Sequence, residues 1–110
     1  MSPGKSRNAA SATVFAALGC ATRLELVSRL SDGREHSITA LTEGLPVSRQ
    51  AITKHLQVMQ EAGLVTSQRV GRESRFAMRH EPIEKAKKTL ARISDQWDDA
   101  IARLRAALGE

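Results

Sequence analysis

Between two stretches of helical periodicity stands Gly44-Leu45-Pro46-Val47, and no continuous helix passes through it. Proline has no amide to donate, and its ring clashes with the preceding turn, so a helix stops before it. Upstream, Ser37 can cap a short helix carrying Ile38, Leu41 and Thr42; downstream, Ser48 restarts the chain. The two helices must meet at an angle, one bracing while the other projects.

The projecting segment, SRQAITKHLQVMQEAGLV over Ser48 to Val65, is amphipathic in a specific way. At 100° per residue Ile52, His55, Leu56 and Met59 fall together, while Arg49, Gln50, Thr53 and Gln57 fall roughly opposite. Ser48 is a good N-cap and Gly63 a good stop, so the helix is expected over Ser48 to Ala62. Arginine can grip guanine O6 and N7, and glutamine adenine N6 and N7, which makes this a face able to read a major groove.

Leu64 to Arg69 and Ser74 to Met78 read as two short strands around a Val70-Gly71-Arg72-Glu73 turn. Arg69, Arg72 and Arg75 would crowd that hairpin. A groove-sized helix followed by an arginine-rich hairpin points to a winged helix-turn-helix module whose wing touches phosphate or minor groove.

The rest of the chain reads as helix. Val14, Phe15 and Leu18 make one apolar face; Leu24, Leu26, Val27 and Leu30 make another, closed by Asp32-Gly33, with Gly19 and Cys20 between them. After the hairpin, Pro82 suits the first turn of a long helix in which Ile83, Ala86, Leu90, Ile93, Trp97, Ile101, Leu104 and Leu108 recur at steps of three or four. At 1.5 Å per residue this gives roughly 39 Å of helix. That stripe exceeds what a small body can cover, so its expected partner is the same helix of a second copy, with the first helix alongside. Val14, Leu18, Leu90, Ile93, Trp97, Ile101 and Leu104 are the expected dimer contacts.

The expectation is a mainly α fold of about five helices with a small β-hairpin wing, dimeric through its terminal helices. Residues 1–8, polar and broken by Pro3 and Gly4, are expected to be a disordered tail before a single domain over 9–110. Aromatics make up 3% of the chain, so aliphatic helix packing must form the core and a large β-sandwich is not expected.

The net charge of +5 is unevenly placed. Residues 1–80 hold 11 Lys/Arg against 6 Asp/Glu, and residues 81–110 hold 6 of each. An excess around a reading helix and wing is the footprint of a nucleic-acid partner. One cysteine makes no internal disulfide and no run of about 20 apolar residues spans a bilayer, so the expected setting is cytoplasmic, without a membrane partner. The run ending Ala17-Leu18-Gly19-Cys20 loosely resembles a bacterial lipoprotein signal, but Ser11 and Thr13 interrupt it. No phosphate-cradling glycine loop and no nucleophile elbow is present, so no catalytic residue is assigned and no enzyme is expected.

VFAALGCATRLELVSRL, VSRQAITKHLQVMQEAGLV and SQRVGRESRFAM together resemble the first two helices, reading helix and wing of the bacterial ArsR-type winged-helix regulators. The resemblance runs from about Val14 to Leu108. It implies a homodimeric repressor on an imperfect inverted repeat of double-stranded DNA, often in its own promoter, released by a signal. It also implies DNA contact by Arg49, Gln50, Thr53 and Lys54; beside these, Ser48 can meet phosphate as well as cap the helix, and Arg72 at the wing tip is the foremost candidate for phosphate or minor groove, with Arg69 and Arg75 either supporting it or solvated.

The familiar signal site is missing from the sequence. Where the family carries Cys-x-Cys at the third helix, this chain has Ser37, Ile38 and Thr39; where the last helix carries Asp-x-His, Asp95 is followed by Gln96 and Trp97. One Cys and three scattered His do not supply the convergent ligands zinc needs, so no metal or cofactor is expected. A metal-responsive repressor and a winged-helix protein-interaction adaptor without specific DNA binding are the alternatives.

His55 lies within the apolar stripe and reads as a packing residue. Cys20 stands where the resemblance implies an Asp cap, so that cap should be weaker; an inert thiol is preferred to an intermolecular redox switch. Trp97 reads as dimer core, with a cavity beside it as the alternative place for a small-molecule effector of unknown identity. Asp95, Asp98 and Asp99 read as a solvated face.

Overall fold

The computed structural model describes residues 7–109. Five helices and three strands follow one another as α1 (Arg7–Leu18), α2 (Ala21–Leu30), β1 (His36–Ser37), α3 (Ile38–Thr42), α4 (Arg49–Glu61), β2 (Val65–Val70), β3 (Glu73–Met78) and α5 (His80–Ala107). Arg7 and Asn8, expected to end the tail, instead open α1. The rest of that expected tail, residues 1–6, lies outside the described residues.

Local chemistry sets most element ends. Ser37 Oγ accepts from the Ala40 amide and Ser48 Oγ from the Ala51 amide, each at 3.1 Å, so both expected caps form. α4 stops at Gly63, whose φ of +77° suits a glycine past a helix end. Cys20 occupies the N-cap of α2 with no side-chain cap hydrogen bond.

The sheet has strand order β1-β3-β2, antiparallel throughout. β1 has no counterpart in the sequence pattern; it is two residues long and pairs His36 with Phe76 and Ser37 with Arg75. In the hairpin Val65 faces Met78 and Val70 faces Glu73, which leaves only Gly71 and Arg72 in the turn. Gly71 takes φ +63° while no non-glycine residue among those described has positive φ, the pattern of a two-residue hairpin turn with glycine at its first central position.

Leu26, Leu30, Leu41, Ile52, Leu56, Met59 and Leu64 are fully buried and join α2, α3, α4 and the start of the wing into one core. The expected stripe of α4 is this core, and His55 is half-buried beside it, its Nδ1 3.4 Å from Arg23 Nη1. The run that loosely resembles a leader forms α1, with Val14 and Ala17 in the core. No single helix among the described residues is long and apolar enough to cross a membrane; a pair formed by α1 and α2 passes on composition but is bent by 98°.

α5 is divided. Ala86 and Thr89 are buried against α1, while beyond Thr89 no described α5 residue is. The radius of gyration is 18.2 Å, where a compact chain of this length gives about 13 Å, because the outer part of α5 projects from the body.

Candidate nucleic-acid interface

The α3–turn–α4 unit is held by residues that carry no reading function. Arg29, in the last turn of α2, donates from Nη1 to the carbonyls of Leu41 (3.3 Å) and Glu43, at the C-terminus of α3. Those carbonyls lack helical partners, so a cation there satisfies them and favours the negative end of the helix. Arg23 donates from Nε to the Ala17 carbonyl at 2.6 Å and also approaches His55, which ties the end of α1 to α4. Neither role is legible in the sequence. A long cation's target is set by tertiary placement, and only the position of Arg29 in a last helical turn gives a local hint. Two of the cations counted as surplus charge are therefore partly engaged inside the protein.

The exposed side of α4 carries Arg49, Gln50 and Lys54, with Ser48 exposed at the cap. Thr53 is half-buried and its hydroxyl donates to the Arg49 carbonyl at 3.0 Å. It presents its methyl more readily than a free hydroxyl. No helix or strand covers the Arg49-Gln50-Lys54 face, which leaves it open to a partner.

The wing arginines differ from one another. Cross-strand pairing of Arg69 with Ser74 and Gln68 with Arg75 puts Arg69 on the sheet face that carries Phe76, and Arg75 on the opposite face. Arg69 Nε donates to the Gly71 carbonyl at 3.4 Å, which supports the turn, and Arg75 Nε pairs with Glu73 Oε2 at 3.3 Å. Among the described residues the Arg72 guanidinium has no hydrogen-bond or ion-pair partner. Arg72 and Arg49 line one shallow groove of about 140 Å³, shared with Glu73, Ser74 and the start of α3. The fold thus brings the tip of the wing to the N-terminal end of α4, while Arg69 and Arg75 do not enter that groove.

Cys20 is a half-buried free thiol. The amide of Arg23, above all, favours its thiolate and holds its pKa below the usual thiol value, with the Thr22 amide and the Arg23 charge adding to this and burial opposing it. Asp32 Oδ1 and Oδ2 each lie 2.9 Å from His36 Nε2, which links the end of α2 to β1. Among the described residues no three of His, Cys, Asp and Glu converge as metal ligands.

The expected dimer residues fall into two groups. Leu90, Ile93, Trp97, Ile101 and Leu104 are exposed along α5, Trp97 at 65%. Val14 is a correction: at 4% exposure it is already covered by the protomer's own core, so it has almost no surface to offer a second chain. Leu18 is half-buried against that core.

An exposed, capped helix following a short bracing helix, with an arginine-tipped hairpin beside it, defines a winged helix-turn-helix module. A family profile described as a helix-turn-helix domain matches residues 18–68. The chain is 39% identical over 77 residues to YuzN of Bacillus subtilis, an uncharacterised HTH-type transcriptional regulator, covering 64% of this chain and 84% of that protein. The solved structure of an ArsR-like transcriptional regulator from Rhodococcus sp. RHA1 matches with a TM-score of 0.75 at 42% identity, covering 90% of this chain and 92% of that one. HlyU from Vibrio cholerae shares the fold at a TM-score of 0.68 and 21% identity, over 81% of this chain and 96% of its own. The chain belongs to the ArsR-type winged helix-turn-helix transcriptional regulators, and like them it is a regulator rather than an enzyme.

Proposed function

We propose that this regulator is a homodimeric repressor that binds a pseudo-palindromic operator, with α4 of each protomer in one of two successive major grooves. The observation that carries the reading is the shared groove of Arg49 and Arg72, which sets an uncovered helix face and an unpaired wing cation on the same side of the protomer. Arg49 and Gln50 read base edges; Ser48, Thr53 and Lys54 fix the helix against the backbone; Arg72 reaches phosphate or the minor groove, with Arg69 and Arg75 shaping the wing.

The exposed stripe from Leu90 to Leu104 supports the dimer. Each such side chain, fully covered, contributes roughly 1.5–3 kcal/mol. Several together offset the roughly 4–15 kcal/mol cost of association. Two-fold symmetry then places half-sites about 10–10.5 base pairs apart.

Fluorescence anisotropy on the chain's own upstream DNA and on a shuffled duplex tests this at physiological salt. The expected preference is a factor of about 10³ or more. Arg49→Ala with Gln50→Ala should abolish the preference while leaving a folded dimer. Equal, weak binding of the native chain to both duplexes, and to a genomic fragment library, would favour the protein-interaction adaptor instead.

A further inference from the structure

A cavity of about 540 Å³ opens between α1, the end of α4 and the first half of α5. It does not include Trp97, where the sequence pointed to the alternative effector cavity. Its size falls in the roughly 300–1,000 Å³ range of small-molecule sites. Ala10, Val14, Ala62 and Pro82 give it apolar walls. Ser11 and Thr89 also line it, but their hydroxyls bond each other at 2.8 Å, so this part of the wall asks for no polar group from a ligand.

The charge is one-sided. Arg79, Lys85, Lys88 and Arg92 line the cavity against one carboxylate, Glu81, which Lys85 already pairs at 3.1 Å. Arg92 Nη2 donates to Asn8 Oδ1 at 2.8 Å, a neutral acceptor that leaves its charge uncompensated. Among the described residues neither Lys88 nor Arg79 has an ion-paired carboxylate.

We infer that this cavity is a binding site for a small organic anion, a carboxylate on an apolar body. The apolar walls cover the body, and the Lys88–Arg92 rim takes the carboxylate through charge-assisted hydrogen bonds. A bare inorganic anion would leave the walls uncovered, and a neutral apolar molecule would leave the cations without a counter-charge.

Two relations separate the cavity from the surfaces already described. At 100° per residue Lys85, Lys88 and Arg92 lie about 150° around α5 from the Leu90–Leu104 stripe. Ala62 is one full length of α4 from Arg49, about 20 Å at 1.5 Å per residue. The cavity nevertheless touches both reading elements at their ends. Ala62 is the C-cap of α4, and Arg79, between β3 and α5, donates its amide to the Leu64 carbonyl at 2.8 Å. An occupant is placed to shift α4 against the wing, a consequence that rests on the DNA-binding reading above.

Isothermal titration of the full chain with 2-naphthoate, its neutral isostere 2-naphthamide and inorganic phosphate tests the site without DNA. The expected result is saturable binding of one 2-naphthoate per chain, at least about tenfold tighter than the amide or phosphate. Lys88→Glu with Arg92→Glu should weaken it by about tenfold or more. Ala10→Trp, which fills the cavity from α1, provides a second variant should the first lose its helical circular dichroism. No saturable binding, equal binding of the amide, or loss on Trp97→Ala with neither cavity variant having an effect would overturn the site. Anisotropy on bound DNA then reads the coupling: a change of about threefold or more in affinity on saturation, absent in Ala10→Trp, supports it. An unchanged DNA affinity refutes the coupling alone, and an absence of DNA binding in the native chain counts against the repressor reading rather than the cavity.

Discussion

Ser11 Oγ and Thr89 Oγ1 stand 2.8 Å apart across 78 residues of sequence, and both residues are almost wholly buried. This bond pins α1 to α5 at the last buried position of α5, from which the outer helix projects. Thr89 also donates to the Lys85 carbonyl at 3.2 Å, so its proton already has an acceptor in its own helix. Ser11→Ala therefore removes a bond without stranding a donor, and should cost about 1 kcal/mol. Paired with Thr89→Val in a double-mutant cycle, urea unfolding should give a coupling of roughly 0.5–1.5 kcal/mol. Strict additivity would mean that the pair does not hold the two helices together.

Ser48 offers a test of the cap beneath the reading helix. Its Oγ satisfies the Ala51 amide, so Ser48→Ala should destabilise the chain by about 1 kcal/mol, whereas Ser48→Gly should cost only a few tenths. Thermal or urea denaturation distinguishes the two. Equal losses for both variants would place the value of Ser48 elsewhere than in the cap.

Along α5, Trp97 and Leu104 are 65% and 59% exposed in one chain. Trp97→Glu with Leu104→Glu removes no protomer core, so helical content should be kept and monomer stability should change by about 0.5 kcal/mol or less. Sedimentation velocity should show a dimer for the native chain and a monomer for this variant. A variant that sediments as the native chain does would move the dimer interface off this stripe.

Arg72 should act on affinity without acting on sequence choice. If about eight phosphates are neutralised per dimer, log affinity falls against log salt with a slope near −7. Arg72→Ala should weaken binding to all duplexes alike and make that slope shallower by about 1 for each phosphate that Arg72 neutralises. Selective loss on the operator alone would make Arg72 a base reader.

The Asp32–His36 pair predicts a particular pH dependence. The hydrogen bond from His36, then the Arg34 amide, hold the Asp32 carboxyl below its ordinary value. A carboxylate whose folded pKa is depressed contributes stability that is complete above the unfolded value and is lost as pH falls through the folded one. The stability gap between the native chain and Asp32→Asn should thus shrink as pH falls below the ordinary carboxylate value near 4. It should also be small and weaken with salt, since both groups sit at the surface. A gap that widens as pH falls below about 4 would contradict the assignment.

Features that depend on neighbours within a few residues are fixed by local order along the chain. Ser37 and Ser48 as caps, Pro46 as a break, Gly63 as a stop and Gly71 in the turn act through the chain's own adjacent amides and dihedral limits. The stripe of Ile52, Leu56 and Met59 follows from helical periodicity alone. Tertiary structure decided what depends on distance. It paired His36 with Phe76 to make a third strand, buried Val14 in the protomer, and sent Arg23 and Arg29 to carbonyls of other helices. It also chose among three similar wing arginines, turning Arg69 and Arg75 to opposite faces and leaving Arg72 beside Arg49. A capping serine acts on the amides of its own first turn, so its role is written locally, whereas Ser11, equally short, meets Thr89 only because α1 packs on α5. A long cation or an apolar residue on a helix face meets whatever the fold brings to it, and that is fixed only when the elements pack.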